Sequence, residues 1–371
     1  MTASLDQGSK TSNQRGAVTL SEIRQQPEVW STTLERVAAM RVSSIVGDRA
    51  AVICGAGTSA YAASSVAAVW TKAIAIPTTD LLTCSKQELA HIAPEFVANG
   101  VLVSMARSGE SPESVAVIAR IKQVFPGVLH LAITCNEHGQ LARLPGIEAL
   151  VLDPRTNDRS LVMTGSFSNL TLAGMAIARG DYLARHLPGI LSNVKNAMPG
   201  LEEVAQRLAM DSVSRSATRL MVLTSAALVP FGREASLKIL EMTGGRIVAI
   251  NETFLGARHG PMSFLRPDSL VLCVLSSDAE KRRYEEDLIR ELRQKKLGHL
   301  IIVGERTSVG ELGDEFVPGM AQDLPDDLRA PFEIVFPQLL AYFLSLASHL
   351  DPDNPSPDGV ITRVVQRFRL H

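Results

Sequence analysis

Short apolar runs alternate with longer segments in which apolar residues recur at helical spacing, and this pattern extends along most of the chain. Runs of this length are typical of buried strands, and the segments between them are typical of amphipathic helices. In the first part of the chain the runs predict strands at 50–54, 73–76, 101–104, 129–134 and 149–152. Such an alternation favours an α/β fold with a largely parallel sheet and right-handed crossovers.

A second series of the same kind follows residues 187–200, a segment bounded by proline and glycine that we interpret as a connector. This series predicts strands at 220–224, 246–250, 270–275 and 299–303, and helices at 232–243, 279–296 and 332–349. We therefore predict an N-terminal tail and helix (1–46), a first domain (47–186), the connector (187–200), and a second domain with a C-terminal tail (201–371). The second domain has the pattern of a diverged copy of the first.

Composition limits the class of protein. The chain has 371 residues, of which 46% are hydrophobic, so two domains with sizeable cores are feasible. Its net charge of −2 gives no general case for nucleic acid or an anionic membrane as a partner. The four cysteines lie far apart, as expected for reduced core residues of a cytosolic protein. Residues 1–16 are polar and do not resemble a signal peptide, and the longest apolar segment, 336–350, is too short for a membrane span, so we expect a cytoplasmic protein.

A loop rich in hydroxyl groups follows the strand predicted at 101–104. It contains Ser108, Gly109 and Ser111, and Pro112 then suits the first turn of a helix. Hydroxyls and loop amides at the positive end of a helix dipole bind an anion, most readily a phosphate. A helix capped by Ser111 after a glycine turn, without any ligand, explains the same residues. The density of hydroxyls around one glycine favours phosphate.

A glycine turn, Gly55-Ala56-Gly57-Thr58-Ser59-Ala60, follows the first predicted strand. It matches a loose dinucleotide fingerprint, and Asp80 falls where a ribose-binding acid would lie, so an NAD-dependent enzyme is one alternative. The other alternative is a sugar-binding turn in which Thr58 and Ser59 supply hydroxyls. Because the carboxyl ends of the first and third strands of an open parallel sheet can border one crevice, this turn and the Ser108 loop can bind one ligand.

The second half contains a charged helix face and a histidine loop. Glu234, Lys238 and Glu241 are spaced i, i+4, i+7 and share one face, which is either a solvated salt-bridge face or part of a site. Downstream, Arg258 and His259 lie between two glycines and before a proline, a pattern typical of an ordered loop that a ligand can approach closely. A lone histidine is more often structural than catalytic, so this loop alone decides nothing.

Together these residues resemble the sugar isomerase (SIS) domain superfamily, whose members bind phosphosugars, often with two tandem SIS domains. Within it, the chain resembles the tagatose-6-phosphate ketose/aldose isomerase subgroup, also described as galactosamine-6-phosphate deaminase, from about Leu20 to the end. The motifs that carry this resemblance are Ala106-Arg107-Ser108-Gly109-Glu110-Ser111-Pro112-Glu113-Ser114, Met163-Thr164-Gly165-Ser166-Phe167, Arg233-Glu234-Ala235-Ser236-Leu237-Lys238, and the late motif Pro352-Asp353-Asn354-Pro355 with Arg363-Val364-Val365-Gln366. The resemblance implies two tandem SIS domains, each with a mostly parallel five-stranded sheet flanked by helices (flavodoxin-like).

The resemblance also implies how a substrate is bound. Ser108 and Ser111 would hold the phosphate, with Ser59 and Thr164 beside it. The residues expected to bind the substrate are Gly57, Thr58, Ser59, Arg107, Ser108, Gly109, Ser111, Thr164 and Arg258.

The implied catalytic residues are Glu241, Lys238 and His259. Glu241 would move a proton between C1 and C2 of the sugar, and Lys238, one turn earlier, can keep its carboxylate ionised. His259 would open the sugar ring, and in relatives it comes from the neighbouring subunit of a homodimer. Such a proton transfer needs a base and an acid rather than a metal, so we expect neither a metal nor a cofactor.

Three positions depart from the family pattern. Many SIS loops carry serine where this chain has Ala106, which removes one hydroxyl from the phosphate loop. The turn Thr224-Ser225-Ala226-Ala227 lacks the glycines that relatives often keep, so we expect it to serve packing. Met262 replaces a lysine expected in the subgroup, which leaves the substrate preference open.

The sequence therefore predicts an isomerase or deaminase acting on a 6-phosphorylated hexose or aminohexose, for example galactosamine 6-phosphate converted to tagatose 6-phosphate and ammonia. The alternative is a non-catalytic phosphosugar sensor, since SIS domains also serve in regulators. Against it, we find no N-terminal helix-turn-helix pattern with a basic face, and both Glu241 and His259 are present. A glutamine-dependent synthase is disfavoured because no glutaminase domain precedes the two halves.

Overall fold

The computed structural model describes residues 15–305 and 312–364. Most of the predicted polar N-terminal tail and the last two residues of the late motif, Val365 and Gln366, therefore lie outside the described residues.

The first half is built on a five-stranded sheet of order β2-β1-β3-β4-β5, in which all paired strands are parallel. Its strands are β1 (Ala51–Cys54), β2 (Ala73–Ala75), β3 (Val101–Ala106), β4 (Leu129–Thr134) and β5 (Glu148–Val151). Every residue of β1 is buried, as its continuous apolar run predicts. Cys54 pairs with Ser104, so the loops that follow β1 and β3 leave the same edge of the sheet side by side.

The second half repeats this arrangement with the order β10-β9-β8-β6-β7, again with parallel pairing throughout. Its strands are β6 (Arg219–Thr224), β7 (Val248–Thr253), β8 (Leu270–Val274), β9 (His299–Gly304) and β10 (Glu315–Pro318). The individual strand predictions omit β10, because a four-residue strand that starts with a glutamate and ends with a proline has no strand-like pattern. The predicted α/β class with two parallel five-stranded sheets is confirmed.

Helices cover both sheets. Those of the first half are α1 (Ala17–Met40), α2 (Val42–Val46), α3 (Thr58–Ala67), α4 (Thr78–Thr83), α5 (Lys86–Ile92), α6 (Pro94–Asn99), α7 (Pro112–Val124) and α8 (Gln140–Arg143). They are followed by α9 (Gly165–Ser214), α10 (Val229–Met242), α11 (Phe254–Ala257), α12 (Ala279–Gln294), α13 (Ala330–Glu333) and α14 (Val335–Ala347). The N-terminal helix predicted within residues 1–46 is divided at Arg41, whose φ is 52°. The largest apolar core lies between the two sheets, where α1, α9 and α14 pack together.

The residues interpreted as a connector are helical. They lie within α9, a 50-residue helix that is bent at Arg179, where φ is −132° and ψ is 29°. Pro188 and Pro199 lie inside this helix and do not end it. The proline and glycine signals at 187–200 therefore mark a helical passage between the two sheets, and the domain boundaries drawn there stay a prediction.

The late motif holds the start of α1. Asp353 Oδ1 accepts hydrogen bonds from the amide and the hydroxyl of Thr19, at 2.8 and 2.9 Å. Asp351 Oδ1 accepts one from the amide of Gly16 at 2.9 Å. The first amides of a helix have no partner within the helix, and carboxylates there are favoured by the helix dipole.

One helical stretch, Ala330–Ala347, is long and apolar enough to cross a membrane by length and composition. This corrects the expectation that the longest apolar segment is too short. In the structure 83% of that stretch is buried inside the protein, and Trp30 of α1 meets Phe332 edge-on with ring centroids 5.0 Å apart. The stretch thus supplies part of the core between the sheets.

Candidate active site

A cavity of about 720 Å³ lies at the carboxyl edge of the first sheet, where the second half and the C-terminal residues meet it. The loops after β1 and β3 both border it, as the sheet order requires. Its lining comprises Ala56, Gly57, Thr58, Ser59, Met105, Ala106, Arg107, Ser108, Ser111, Ser114, Leu161, Met163, Glu241 and residues 359–364.

The serine loop presents hydroxyls to this cavity at the start of α7. Ser111 is the N-cap of α7, with its Oγ 3.4 Å from the amide of Ser114 and 2.9 Å from the hydroxyl of Ser114. Ser108 Oγ accepts a hydrogen bond from the amide of Glu110 at 3.3 Å. Gly109 has a φ of 65°, and a Cβ there would lie 2.9 Å from Leu141 Cβ, so the loop needs glycine. Gly109 shapes the loop and does not itself line the cavity.

Arg107 connects the serine loop to the C-terminal residues. Its side chain is buried, and burial lowers the pKa of its guanidinium. Nη1 donates to the carbonyl of Leu161 at 3.4 Å, and Nη2 donates to the carbonyl of Arg363 at 2.5 Å. Nε is buried without a hydrogen-bond partner among the described residues. Arg107 therefore positions the wall of the cavity and keeps one donor unused.

Residues 359–364, which we call the strap, form that wall. Arg363 Nε donates to the carbonyl of Asp158 at 3.1 Å, and its Nη2 donates to Asn157 Oδ1 at 3.2 Å. The carboxylate of Asp158 in turn accepts from the amides of Thr164 and Ser166 at the start of α9, at 2.8 and 2.9 Å. The strap is thus fixed to the loop that caps α9.

The glycine turn contacts the second half. Gly57 has a φ of 56°, and Thr58 begins α3. The hydroxyl of Thr58 lies 3.2 Å from Glu234 Oε1 and accepts a hydrogen bond from Lys238 Nζ at 3.0 Å. Asp80, which the dinucleotide interpretation needs, is exposed on α4 and does not line the cavity. The turn thus lacks the acid that would mark a dinucleotide site.

The charged face of α10 is buried, so the solvated salt-bridge alternative is wrong for it. The side chains of Glu234 and Lys238 are 0% exposed, and that of Glu241 is 25% exposed. Lys238 Nζ lies 2.7 Å from Glu241 Oε2 and 3.3 Å from Glu234 Oε1. Burial raises the pKa of Glu234 to about 8, whereas Lys238 is held charged by its acidic neighbours, which raise its pKa against the effect of burial. Glu241 is the one member of this group that lines the cavity.

Three predicted site residues lie elsewhere. Thr164 is fully buried, and its amide and hydroxyl both donate to Asp158, so we do not retain it as a phosphate ligand. Arg258 Nε pairs with Glu291 at 2.7 Å, away from the cavity. His259 is exposed and does not line the cavity of its own chain.

The cavity also has walls that sequence reasoning did not assign. Ser114, Met105, Leu161 and Met163 line it, as does the strap. The late motif was the available signal for the strap, because its Arg363 and Val364 belong to these lining residues. Leu161 and Met105 have no such signal, since buried strand ends and loops carry apolar residues in any α/β protein.

The chain is similar to known proteins in both sequence and structure. No family model matches the chain. The AgaS protein of Streptomyces coelicolor is 38% identical over 375 residues, covering 95% of each chain. The D-galactosamine-6-phosphate deaminase AgaS of Shewanella sp. is 32% identical over 368 residues, covering 95% of this chain and 91% of that protein. The crystal structure of tagatose-6-phosphate ketose/aldose isomerase from Escherichia coli superposes with a TM-score of 0.81 at 28% identity, covering 94% of this chain and 96% of that one.

Proposed function

The chain belongs to the AgaS family of the SIS superfamily, and we propose from this that it is a phosphosugar isomerase or deaminase that converts galactosamine 6-phosphate to tagatose 6-phosphate and ammonia. One observation carries the proposal: the carboxylate of Glu241, paired with a buried lysine at 2.7 Å, opens onto the cavity that the hydroxyls of Ser108 and Ser111 also line. A base and an anion site in one cavity suit a substrate with a reacting carbon at one end and a phosphate at the other.

The chemistry follows from these positions. The serine loop holds the 6-phosphate, and Glu241 takes the proton from C2 of the open-chain sugar and returns it to C1. With a hydroxyl at C2 the product is a ketose. With an amine at C2 the same transfer leaves an imine at that carbon, and water then releases ammonia and forms the ketone. Release of ammonia by water makes the deamination a hydrolysis, and we infer that the enzyme serves amino sugar catabolism in the cytoplasm.

A sensor without catalysis is not favoured, because Lys238 is fully buried beside two acidic side chains, and one of these, Glu241, faces the cavity. Buried ionic groups are costly to the free energy of folding unless they are paired. A binding site for a phosphosugar alone would not need that arrangement.

We predict that Ser108→Ala weakens binding of galactosamine 6-phosphate by about 1–3 kcal/mol, the cost of losing a hydrogen bond to a charged group. Isothermal titration calorimetry measures this. Ser64→Ala is the matched control, because the hydroxyl of Ser64 donates to the carbonyl of Ala60 on α3 and does not line the cavity. Tight NAD binding together with no binding of a 6-phosphate ligand would contradict the proposal.

We also propose a homodimer in which His259 of one subunit completes the active site of the other. In its own chain His259 is exposed and outside the cavity, and the family resemblance implies a histidine for ring opening. Mixing Glu241→Gln and His259→Ala subunits, each inactive alone, should restore part of the activity, because a hybrid dimer contains one site with both groups intact.

This experiment needs proof that subunits exchange, which mass spectrometry of differently labelled chains provides. Mixtures of Glu241→Gln subunits with one another are the control and should stay inactive. Hybrid dimers without activity would exclude a shared site.

A further inference from the structure

The second half repeats the plan of the first. In each sheet the first strand of that half lies between its second and third strands. The loops after β6 and β8 therefore correspond to the loops after β1 and β3, which border the cavity. In the second half these two loops contain Ser225 and the pair Ser276-Ser277.

One carboxylate joins these two loops. The hydroxyls of Ser225 and Ser276 both donate to Asp326 Oδ2, at 2.8 and 2.6 Å. Ser277 donates to Asp326 Oδ1 with its amide at 2.9 Å and with its hydroxyl at 3.2 Å. Asp326 begins the short 3-10 helix Asp326–Leu328, after β10, and its side chain is 2% exposed. The crevice between the two loops is thus filled by the chain itself.

Cations complete the surroundings of this carboxylate. Arg329 Nη1 lies 3.0 Å from Asp326 Oδ1 and is fully buried, and Lys281 Nζ lies 3.9 Å from Oδ2. Burial alone would raise the pKa of Asp326, but hydrogen bonds from Ser276, Ser277 and Ser225 and the charge of Arg329 hold it below its ordinary value. Hydroxyls, an amide and a guanidinium that converge on one point form a site for an oxyanion.

We propose that the second half contains an oxyanion site built on the same plan as the serine loop of the first half, and that Asp326 permanently occupies it. Each chain then binds one phosphosugar, in the first half. The paired loops of the second half instead hold β6, β8 and the residues after β10 together through Asp326, an arrangement that we call the lock. The number of bound phosphosugars rests on the proposed function. The filled site itself rests on the contacts of Asp326 alone.

Asp326→Ala tests the filled site. It removes the carboxylate and leaves its donors, so its melting temperature should fall below that of the wild type and rise again in formate, which has the shape of the lost group. Chloride at equal ionic strength should not restore it, and the wild type should not respond to formate beyond chloride. Asp326→Asn is the matched control, because its amide still fills the crevice and no response to formate is expected. A formate response in Asp326→Ala no larger than that of chloride would refute the proposal.

The melting temperatures in formate are best measured at pH 6, because a second acid, Glu285, lies beside these loops. Glu285 Oε2 accepts a hydrogen bond from the amide of Ser276 at 2.8 Å, and burial raises the pKa of Glu285 to about 7. A pH below that value favours the neutral form of Glu285, which repels an added anion less than its carboxylate does.

A measurement on the folded parent protein covers the case in which Asp326→Ala fails to fold. Calorimetry with galactosamine 6-phosphate should give one binding event per wild-type chain, and Ser108→Ala combined with Ser111→Ala should abolish it. A second event in the wild type, or binding in the double variant with the affinity of the wild type, would mean that the second half is open and would refute the lock. A wild type without any binding contradicts the proposed function instead. Calorimetry with inorganic phosphate then decides the filled site, because phosphate that binds with the same affinity to the wild type and to the double variant would occupy the second half and refute the lock.

Discussion

Replacing Glu241 with glutamine is expected to lower kcat by about 10²–10⁴-fold, the usual share of general base catalysis, with little change in substrate affinity. The amide keeps the shape of the side chain and cannot accept the C2 proton. Lys238 Nζ, 2.7 Å away, can still donate to the amide oxygen, so the cavity wall should stay in place. Ammonia release and tagatose 6-phosphate formation, both measured, report the two products of the reaction.

Glu234→Gln is the matched control for this prediction. It is the same substitution on the same helix, at a carboxyl group that does not line the cavity. Burial raises the pKa of Glu234 to about 8, so at neutral pH this group is mostly protonated, and an amide resembles it. We expect this variant to keep most of its activity. Equal losses in both variants, or a near-normal rate in Glu241→Gln, would show that Glu241 is not the base.

The raised pKa of Glu234 also predicts how the stability of the control variant depends on pH. The folded-state pKa of Glu234 lies above the unfolded value, so folding binds a proton that the unfolded chain releases. The contribution of this group to stability is complete below the unfolded pKa and is lost as the pH rises through about 8. Melting temperatures recorded from pH 5 to pH 9 should therefore fall less steeply in Glu234→Gln than in the wild type.

Replacing Lys238 with methionine is expected to destabilise the protein by about 3–5 kcal/mol and to abolish most of the activity, because it removes one partner of a buried ionic group. The ammonium is 0% exposed and contacts Glu234, Glu241 and the hydroxyl of Thr58. Without it the carboxyl group of Glu241 loses its contact with a cation, and the contact between α3 and α10 loses its central donor. Urea unfolding of the variant and the wild type at the same protein concentration measures the effect.

A second substitution makes this prediction sharper. Glu241→Gln in the Lys238→Met background removes the carboxylate left without its cation, so the double variant should be less destabilised than the sum of the single changes. A loss below about 1 kcal/mol in Lys238→Met is the result expected of a solvated surface pair and would contradict a buried one.

The sequence predicted the residues of the candidate site better than it predicted the environment of those residues. The hydroxyls around Gly109 and the i, i+4, i+7 spacing of the α10 acids and lysine are local patterns. Each of these patterns contributes residues that line the cavity. Whether that helix face meets water or the other half depends on how α3 packs on α10, which no local pattern encodes. The burial of Lys238 against Thr58 therefore came from the structure.

In the segment that joins the first half to the second, local sequence signals and the observed structure differ. Proline and glycine usually mark loops, yet Pro188 and Pro199 lie inside α9. Tertiary packing of α9 against α1 and α14 outweighs the local preference. The strap escaped prediction for a similar reason, since its anchors, Asn157 and Asp158, lie more than two hundred residues earlier in the chain.

The carboxylates of Asp351 and Asp353 on the first residues of α1 also have a practical meaning. They bring Gly16 and Thr19, near the beginning of the described chain, beside the segment that leads into the strap. A label attached at the start of α1 or on residues 351–358 therefore lies one short segment away from the cavity wall. For labelling, the exposed turn at 126–127 between α7 and β4 lies at the opposite edge of the first sheet from the cavity.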